Sequence, residues 1–236
     1  MIDKTTDSTK AAIALAGRIG WIATLALGVI LAVHPLGTTS LYADGAAFLD
    51  HVGPFWIAIH LIAGLLLLAW PLVLWTWAST LSDPGSRLLG RWAAWVCSIG
   101  MAVGVLHLIA TDTTTFVMFR ETFEAASESE AALVGVDLLL RLHAATLTAW
   151  VTSFWFAVPA LLGFACARNG SPAWMTGLAA FAALAQVGAL ALTFASEQWT
   201  TLSETIVFRA GATALIAWFL VTTWQLRGAT SSAALH

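Results

Sequence analysis

Charged residues are scarce in this chain: Lys, Arg, Asp and Glu make up only 10% of its 236 residues. Soluble domains carry about 25% charged residues, so this composition excludes an ordinary water-soluble globular protein. Hydrophobic residues account for 59% of the chain, and the mean hydropathy is +0.85. The sequence is therefore that of an integral membrane protein, with the lipid bilayer as its surroundings.

Cysteine is also scarce, and the motifs of soluble enzymes are missing. Cys97 and Cys166 lack CxxC spacing and fall in apolar segments, which predicts small buried residues with no disulfide. The sequence contains no phosphate-binding loop, no dinucleotide glycine fingerprint and no GxSxG nucleophile elbow. It also lacks a basic cluster of the type that binds nucleic acid, so we expect no nucleic-acid partner.

Long apolar runs separated by short polar segments predict the fold. A bilayer core about 30 Å thick needs about 20 apolar residues per helix. This criterion predicts six transmembrane helices, at residues 12–34, 53–78, 89–111, 132–167, 173–196 and 203–226. The predicted fold class is an all-α, polytopic membrane helical bundle: one domain over 12–226, with cytoplasmic tails at 1–11 and 227–236.

The basic residues are divided unequally between the two sets of loops, and this division predicts the orientation. Lys and Arg accumulate on the cytoplasmic side of membrane proteins. They occur before the first predicted helix, after the second, after the fourth and after the sixth, whereas Arg120 is the single basic residue of the opposite loops. We therefore expect a protein of the cell (inner) membrane with both termini in the cytoplasm. Tryptophan belts are expected at the two interfaces: Trp75, Trp77, Trp92, Trp174 and Trp224 at one, Trp56 and Trp199 at the other.

Three histidines fall in the outer half of the predicted helices. His60 lies about 12 Å below the outer boundary on the second helix, and His143 lies at a similar depth on the fourth. His107 is nearer the outer end of the third helix. Ionisable residues inside membrane helices are rare and usually functional, so His60 and His143 are candidates for a shared ligand. A hydrogen bond across a helix interface is the simpler alternative for each imidazole.

Two short motifs surround these histidines. His60 is followed one turn later by Gly64 in HLIAG, and Arg141 precedes His143 in LLLRLHAATL. Both stretches resemble the membrane-anchor b-type cytochromes that serve quinone-linked oxidoreductases, in which a helix carries a His with Gly four residues on. The resemblance implies a b-type haem with His60 and His143 as axial ligands, Gly64 admitting the porphyrin and Arg141 near a propionate.

The inner half of the predicted bundle contains no histidine, although many cytochromes of this kind carry a second His pair there. The resemblance therefore implies a single haem near the outer face. Such a protein would exchange electrons between the quinone pool and an outer-side redox partner subunit.

Another set of ligands is present in the same region. His60, His107 and His143, with Asp112 or Asp137, also suit Zn, Cu or non-haem iron. Asp137 and His143 are six residues apart, about 600° around a helix, and so lie on different faces. This spacing weakens a site that both would share, and whether the protein is an enzyme stays open.

Other features favour a bundle without a cofactor. Pro71 and Pro159 interrupt the second and fourth predicted helices, and paired interruptions are typical of transporters. A cofactor-free transporter or assembly factor is therefore an alternative. Arg209, inside the sixth predicted helix, needs a carboxylate partner. Three acids are candidates for that role: Glu204, Glu197 and Asp137.

Overall fold

The structure, a computed structural model, describes residues 3–33, 54–106, 149–195 and 203–228, and every element within these ranges is helical. The α-helices are α1 (Asp3–Val33), α2 (Pro54–Leu67), α3 (Ala69–Thr80), α4 (Pro84–Leu106), α5 (Ala157–Arg168), α6 (Ala173–Ala195) and α7 (Arg209–Gly228). Two π-helical segments, π1 (Val151–Phe156) and π2 (Ser203–Phe208), lead directly into α5 and α7.

Six stretches of these helices are long and apolar enough to cross a membrane, as the sequence predicts. The second combines α2 with α3, the fourth is π1 with α5, and the sixth combines the end of π2 with α7. The helices α1 and α4 begin earlier than predicted, at Asp3 and Pro84. The reason is that the prediction counted apolar residues, whereas the polar first turns of both helices continue the same backbone hydrogen-bonding pattern.

The spans form a ring in chain order. Each span packs against the spans before and after it, and α1 closes the ring against α7. The helices α3 and α7 also touch across the centre. Every described span therefore contacts both of its neighbours in the ring, and side chains from several of them meet in the middle.

Close approach of α1 to α7 depends on Gly17. A Cβ placed there would lie 2.6 Å from the backbone nitrogen of Arg227 and 2.9 Å from the Cβ of Leu226. Membrane helices associate through close packing at small residues, because lipid supplies no hydrophobic driving force between them. The contact joins the N-terminal part of α1 to the C-terminal end of α7. Beside it, the guanidinium of Arg227 lies 4.8 Å from the ring centroid of Trp21.

The turn between α3 and α4 is tied to the turn between α5 and α6. Asp83 Oδ2 accepts hydrogen bonds from the backbone N–H of Ser86 at 2.6 Å and from Arg168 Nε at 2.7 Å. Asn169 Oδ1 accepts from the backbone N–H of Ser82 at 3.1 Å. The backbone and side-chain hydrogen bonds from Ser86, followed by the hydrogen bond and positive charge of Arg168, hold the pKa of Asp83 below its ordinary value of 3.8. We call this end of the bundle the turn end.

Burial tests two of the sequence predictions. Cys97 and Cys166 are both buried and free, which confirms their interpretation as small core residues. The assignment of Trp77 to the interfacial belt is wrong: it is 5% exposed and packs edge-on against Trp218 with ring centroids 5.0 Å apart. Trp77 lies on the face of α3 that packs towards α7. The other four tryptophans predicted for the same interface have side chains that are at least 39% exposed: Trp75, Trp92, Trp174 and Trp224. The side chains of Trp56 and Trp199 lie outside the described part.

Candidate functional site

The structure places two of the five predicted site residues. His60 lies half-buried in α2, and Gly64, one turn further along the same helix, is buried. His107, Arg141 and His143 lie outside the described residues. The pairing of His60 with His143 therefore stays a prediction.

The helix that carries His60 is interrupted further along. The break between α2 and α3 falls at Leu68, where the backbone N–H bonds to the carbonyl of Leu65 at 3.3 Å. Pro71 lies one turn beyond the break and has no N–H to continue the helical hydrogen bonds, as the sequence predicts. His60 is ten residues before Trp70, or about 15 Å along the span. The imidazole thus lies well to one side of the break.

The described residues include no group of three or more His, Cys, Asp or Glu side chains that could hold a metal ion. Asp112 and Asp137, the acids of the predicted non-haem metal site, lie outside these residues, as do two of its three histidines. A haem with two histidine ligands needs only a pair of imidazoles on facing helices. Within the described ranges, His60 supplies one imidazole, and the buried Gly64 lies one turn away on the same helix.

An aromatic cluster fills the centre of the ring, and we call it the Trp70 cluster. Trp70 is fully buried, and its ring stacks on that of Phe219 at 3.9 Å with an interplanar angle of 13°. The ring of Phe154 lies 5.6 Å away on another side. These three side chains come from α3, α7 and π1, so the cluster joins helices distant in sequence.

The polar group of this cluster is paired. The indole N–H of Trp70 donates to Thr24 Oγ1 at 3.0 Å, and the hydroxyl of Thr24 donates to the carbonyl of Gly20 at 2.6 Å. Gly20 lies close to Val73, where a Cβ would collide with the valine side chain. The centre is therefore closely packed around a chain of satisfied hydrogen bonds.

A second buried polar group lies where the two π-helical segments meet α6, and we call it the Gln186 cluster. Gln186 is 1% exposed, and its Nε2 donates to the backbone carbonyl of Phe208 at 3.2 Å. The ring of Phe208 lies 5.5 Å from that of Trp155, which is 8% exposed. Gly211 permits this approach, because a Cβ there would lie 2.7 Å from Gln186 Nε2.

The Gln186 cluster differs from the Trp70 cluster in its leftover hydrogen-bonding atoms. Within the described part of the chain, Gln186 Oε1 and Trp155 Nε1 are buried and have no hydrogen-bond partner. One is an acceptor and the other a donor. An unpaired buried group costs about 1–3 kcal/mol, so the cluster has an unmet demand for one donor and one acceptor.

Arg209 follows π2 directly and is half-buried. Its Nη1 lies 3.5 Å from the carbonyl oxygen of Leu31 on α1, in a long hydrogen bond. The predicted carboxylate partners, the side chains of Glu204, Glu197 and Asp137, lie outside the described residues. The described contact is with a backbone carbonyl, which links α7 to α1 near one end of both helices.

Sequence reasoning missed the two unpaired side chains of the Gln186 cluster, Gln186 and Trp155. Gln186 is the only amide side chain in the predicted fifth helix, and that isolation within an apolar run was the available signal. Trp155 carried no signal, since it is one of 13 tryptophans in the chain. Their proximity depends on how π1, α6 and π2 pack together.

No protein-family model matches the chain, and no curated protein or solved structure matches it either.

Proposed function

We propose that the protein is a single-haem b-type cytochrome subunit of the cell (inner) membrane, which exchanges electrons between the quinone pool and an outer-side redox partner subunit. The observation that carries the proposal is His60, a half-buried imidazole inside a membrane-spanning helix. Such residues are rare and usually functional. Gly64, buried one turn away, supports the proposal because a porphyrin beside the imidazole needs a small neighbour.

The protein's own groups have separate roles in this proposal. His60 and His143 hold the iron as neutral imidazoles, Gly64 leaves room for the ring, and Arg141 pairs with a propionate. A bound haem supplies one-electron chemistry. The aromatic residues around Trp70 fill the bundle centre about 15 Å along the span from His60. They would separate the haem from the turn end.

We also infer that both termini are cytoplasmic. The basic residues on the loops and tails of one side support this orientation. The close approach of Gly17 to Arg227 supports a common side for the two termini. A cysteine added to each tail should react with a membrane-impermeant maleimide only after cells are opened, and labelling of either tail in intact cells would contradict the orientation.

An optical spectrum tests the haem directly. The detergent-purified protein should show a b-type α band on reduction with dithionite, and a pyridine haemochrome assay should give about one haem per chain. His60→Ala and His143→Ala should each abolish the band. His51→Ala, at a position outside the predicted helices, is the matched control and should keep it. A colourless protein from haem-replete cells would exclude the cytochrome.

A transporter is the second candidate, and the break at Leu68 favours it. The interrupted second span and the π-helical starts of α5 and α7 give three irregular places in the bundle. Discontinuous helices are common around transport sites, and π-helical segments are frequent at functional sites. A colourless preparation would favour this candidate, and elemental analysis of the same sample would separate it from a His/Asp metal protein.

A further inference from the structure

The seam where α1 meets α7 holds an arginine between two indole rings. Arg227 lies in the last turn of α7, and its guanidinium carbon is 4.8 Å from the ring centroid of Trp21 on α1 and 4.8 Å from that of Trp224 on α7. The two ring centroids are 6.4 Å apart. Attraction to a ring face fixes a guanidinium without using its N–H groups in hydrogen bonds to oxygen. The rings therefore set the position of these donors and leave them for an acceptor.

A second arginine lies beside the same seam. Arg18 follows Gly17, whose close approach to the backbone of Arg227 brings the two helices together. Arg18 also precedes Trp21 by three residues, so the two side chains are neighbours on the surface of α1. The side chain of Arg18 is exposed. Each helix therefore contributes one guanidinium group to the seam.

Neither arginine has a carboxylate partner within the described part of the chain. Asp83 is the single acidic side chain among those that the structure describes, and it pairs with Arg168 at 2.7 Å. The guanidinium groups of Arg18 and Arg227 also make no hydrogen bond to another described residue. The seam thus carries two positive charges that the described residues do not neutralise, and it is complementary to an anion.

The surface around the seam restricts the kind of anion. Trp224 is 61% exposed, and Ile22, the residue after Trp21, is 64% exposed. Both residues lie in membrane-spanning stretches, Ile206–Gly228 and Ser8–Val33. Tryptophan at the end of a span is typical of the level of the lipid head groups. A soluble anion would leave the exposed apolar side chains uncovered, whereas a phospholipid brings a phosphate for the arginines and acyl chains for that surface.

We propose that the seam between α1 and α7 binds an anionic phospholipid. Arg227 and Arg18 donate charge-assisted hydrogen bonds to its phosphate oxygens. Trp21 and Trp224 hold the guanidinium of Arg227 in place, and the acyl chains cover the exposed side chain of Ile22. Basic residues between membrane helices are known to recognise anionic head groups in this way. The proposal is independent of haem and of the proposed function.

This assignment predicts a preference for anionic over zwitterionic head groups. Phosphatidylcholine carries the same phosphate, but its trimethylammonium group adds a positive charge close to the two arginines. Each arginine near an anionic head group contributes about fivefold in affinity. The seam should therefore bind phosphatidylglycerol about 25-fold more tightly than phosphatidylcholine.

The experiment is equilibrium binding of radiolabelled phosphatidylglycerol to the full-length, detergent-purified protein in a scintillation proximity assay. Displacement by unlabelled phosphatidylglycerol, and by phosphatidylcholine with the same acyl chains, gives the two affinities. Glycerol 3-phosphate is a third competitor, which has the phosphate but no acyl chains. It should not displace the label at concentrations at which phosphatidylglycerol does.

Variants at the seam have a matched control on another helix. Arg227→Gln and Arg18→Gln should each lower the preference for phosphatidylglycerol about fivefold, and the double variant should lose it. Arg91→Gln removes an exposed positive charge from α4, two turns after that helix begins at the turn end, and should keep the full preference. Circular dichroism should show that all the variants keep the helical content of the unaltered protein.

Three results would overturn the proposal. Equal affinity of the unaltered protein for the two lipids would do so without reliance on any variant. A preference that persists in the double variant, or that Arg91→Gln lowers by the same factor, would show that the seam is not the site. Displacement by glycerol 3-phosphate at the concentrations effective for the lipid would indicate a site for a soluble phosphate instead.

Discussion

Two neighbouring indoles in the core of this protein have opposite hydrogen-bonding states. Trp70 and Trp155 lie with ring centroids 6.2 Å apart, and both are buried. Trp70 donates to Thr24 across 46 residues of sequence, whereas Trp155 Nε1 has no partner among the described residues. The same side chain thus completes the packing at one site and leaves an unused donor at the next.

The difference is between a buried donor that ties two helices together and one that the described residues leave without an acceptor. A buried donor that is paired with an acceptor on another helix specifies which helices meet. A buried donor without an acceptor lowers the stability of the fold. The Trp70 cluster joins α3, α7 and π1 through packing and a satisfied hydrogen bond, whereas the Gln186 cluster keeps one buried donor and one buried acceptor without partners among the described residues.

The largest expected effect is at Trp70 itself. Trp70→Ala should lower the free energy of unfolding by about 3–5 kcal/mol, because it opens a cavity between α3, α7 and π1. Titration with SDS in mixed micelles, followed by circular dichroism, measures this change. Trp92→Ala, at a side chain that is 57% exposed, is the matched control and should have little effect. Equal losses in the two variants would contradict the central role of Trp70.

Removing the hydroxyl of Thr24 should leave the indole N–H of Trp70 without an acceptor, as the N–H of Trp155 is among the described residues. Thr24→Val keeps the side-chain shape but removes the acceptor of the indole N–H, at an expected cost of about 1–3 kcal/mol. Thr24→Ser should restore most of the stability. Thr76→Val, which removes a hydroxyl that donates to the carbonyl of Leu72 one turn before it on the same helix, is the control. The same SDS titration applies, and a neutral Thr24→Val would show that the hydrogen bond contributes nothing.

The two indoles can also be compared directly. Trp70→Phe and Trp155→Phe remove the same atoms, but only the first breaks a hydrogen bond and leaves Thr24 without its donor. Trp70→Phe should therefore cost about 1–2 kcal/mol more than Trp155→Phe in the free energy of unfolding. The measurement is the difference between the two variants in ligand-free protein. An equal or reversed cost would remove the distinction between the clusters.

The smallest effect is expected at the turn end, where Asp83 is partly exposed. Its pKa is below 3.8 in the folded protein, so its stabilising contribution is fully present above that value and is lost as the pH falls through the folded pKa. Melting temperature should therefore fall more steeply below about pH 4 in the unaltered protein than in Asp83→Asn. Arg168→Gln should keep most of the pH dependence, because hydrogen bonds from Ser86 lower the pKa more. Parallel curves for the unaltered protein and Asp83→Asn would refute this.

Much of the fold was predictable because a bilayer imposes a single length scale. Runs of about 20 apolar residues have to be membrane helices, and the six predicted spans overlap all six found. The interruption near Pro71 and the burial of Cys97 and Cys166 were also predictable, since each follows from local chemistry. The orientation and the haem ligands came from charge distribution and resemblance, and they stay predictions.

What the sequence by itself determined is the number of membrane-spanning helices, their approximate positions and the polar residues within them, because each depends on neighbours within a turn or two. Only the tertiary structure decided which polar groups find partners. Thr24 reaches Trp70 from 46 residues away, and Gln186 reaches Phe208 from 22 residues away. An all-round apolar helix gives no sign of which face meets which neighbour. For this reason Trp77 was wrongly assigned to the interfacial belt. The unpaired atoms of Gln186 and Trp155 could be identified only from the packing of the helices.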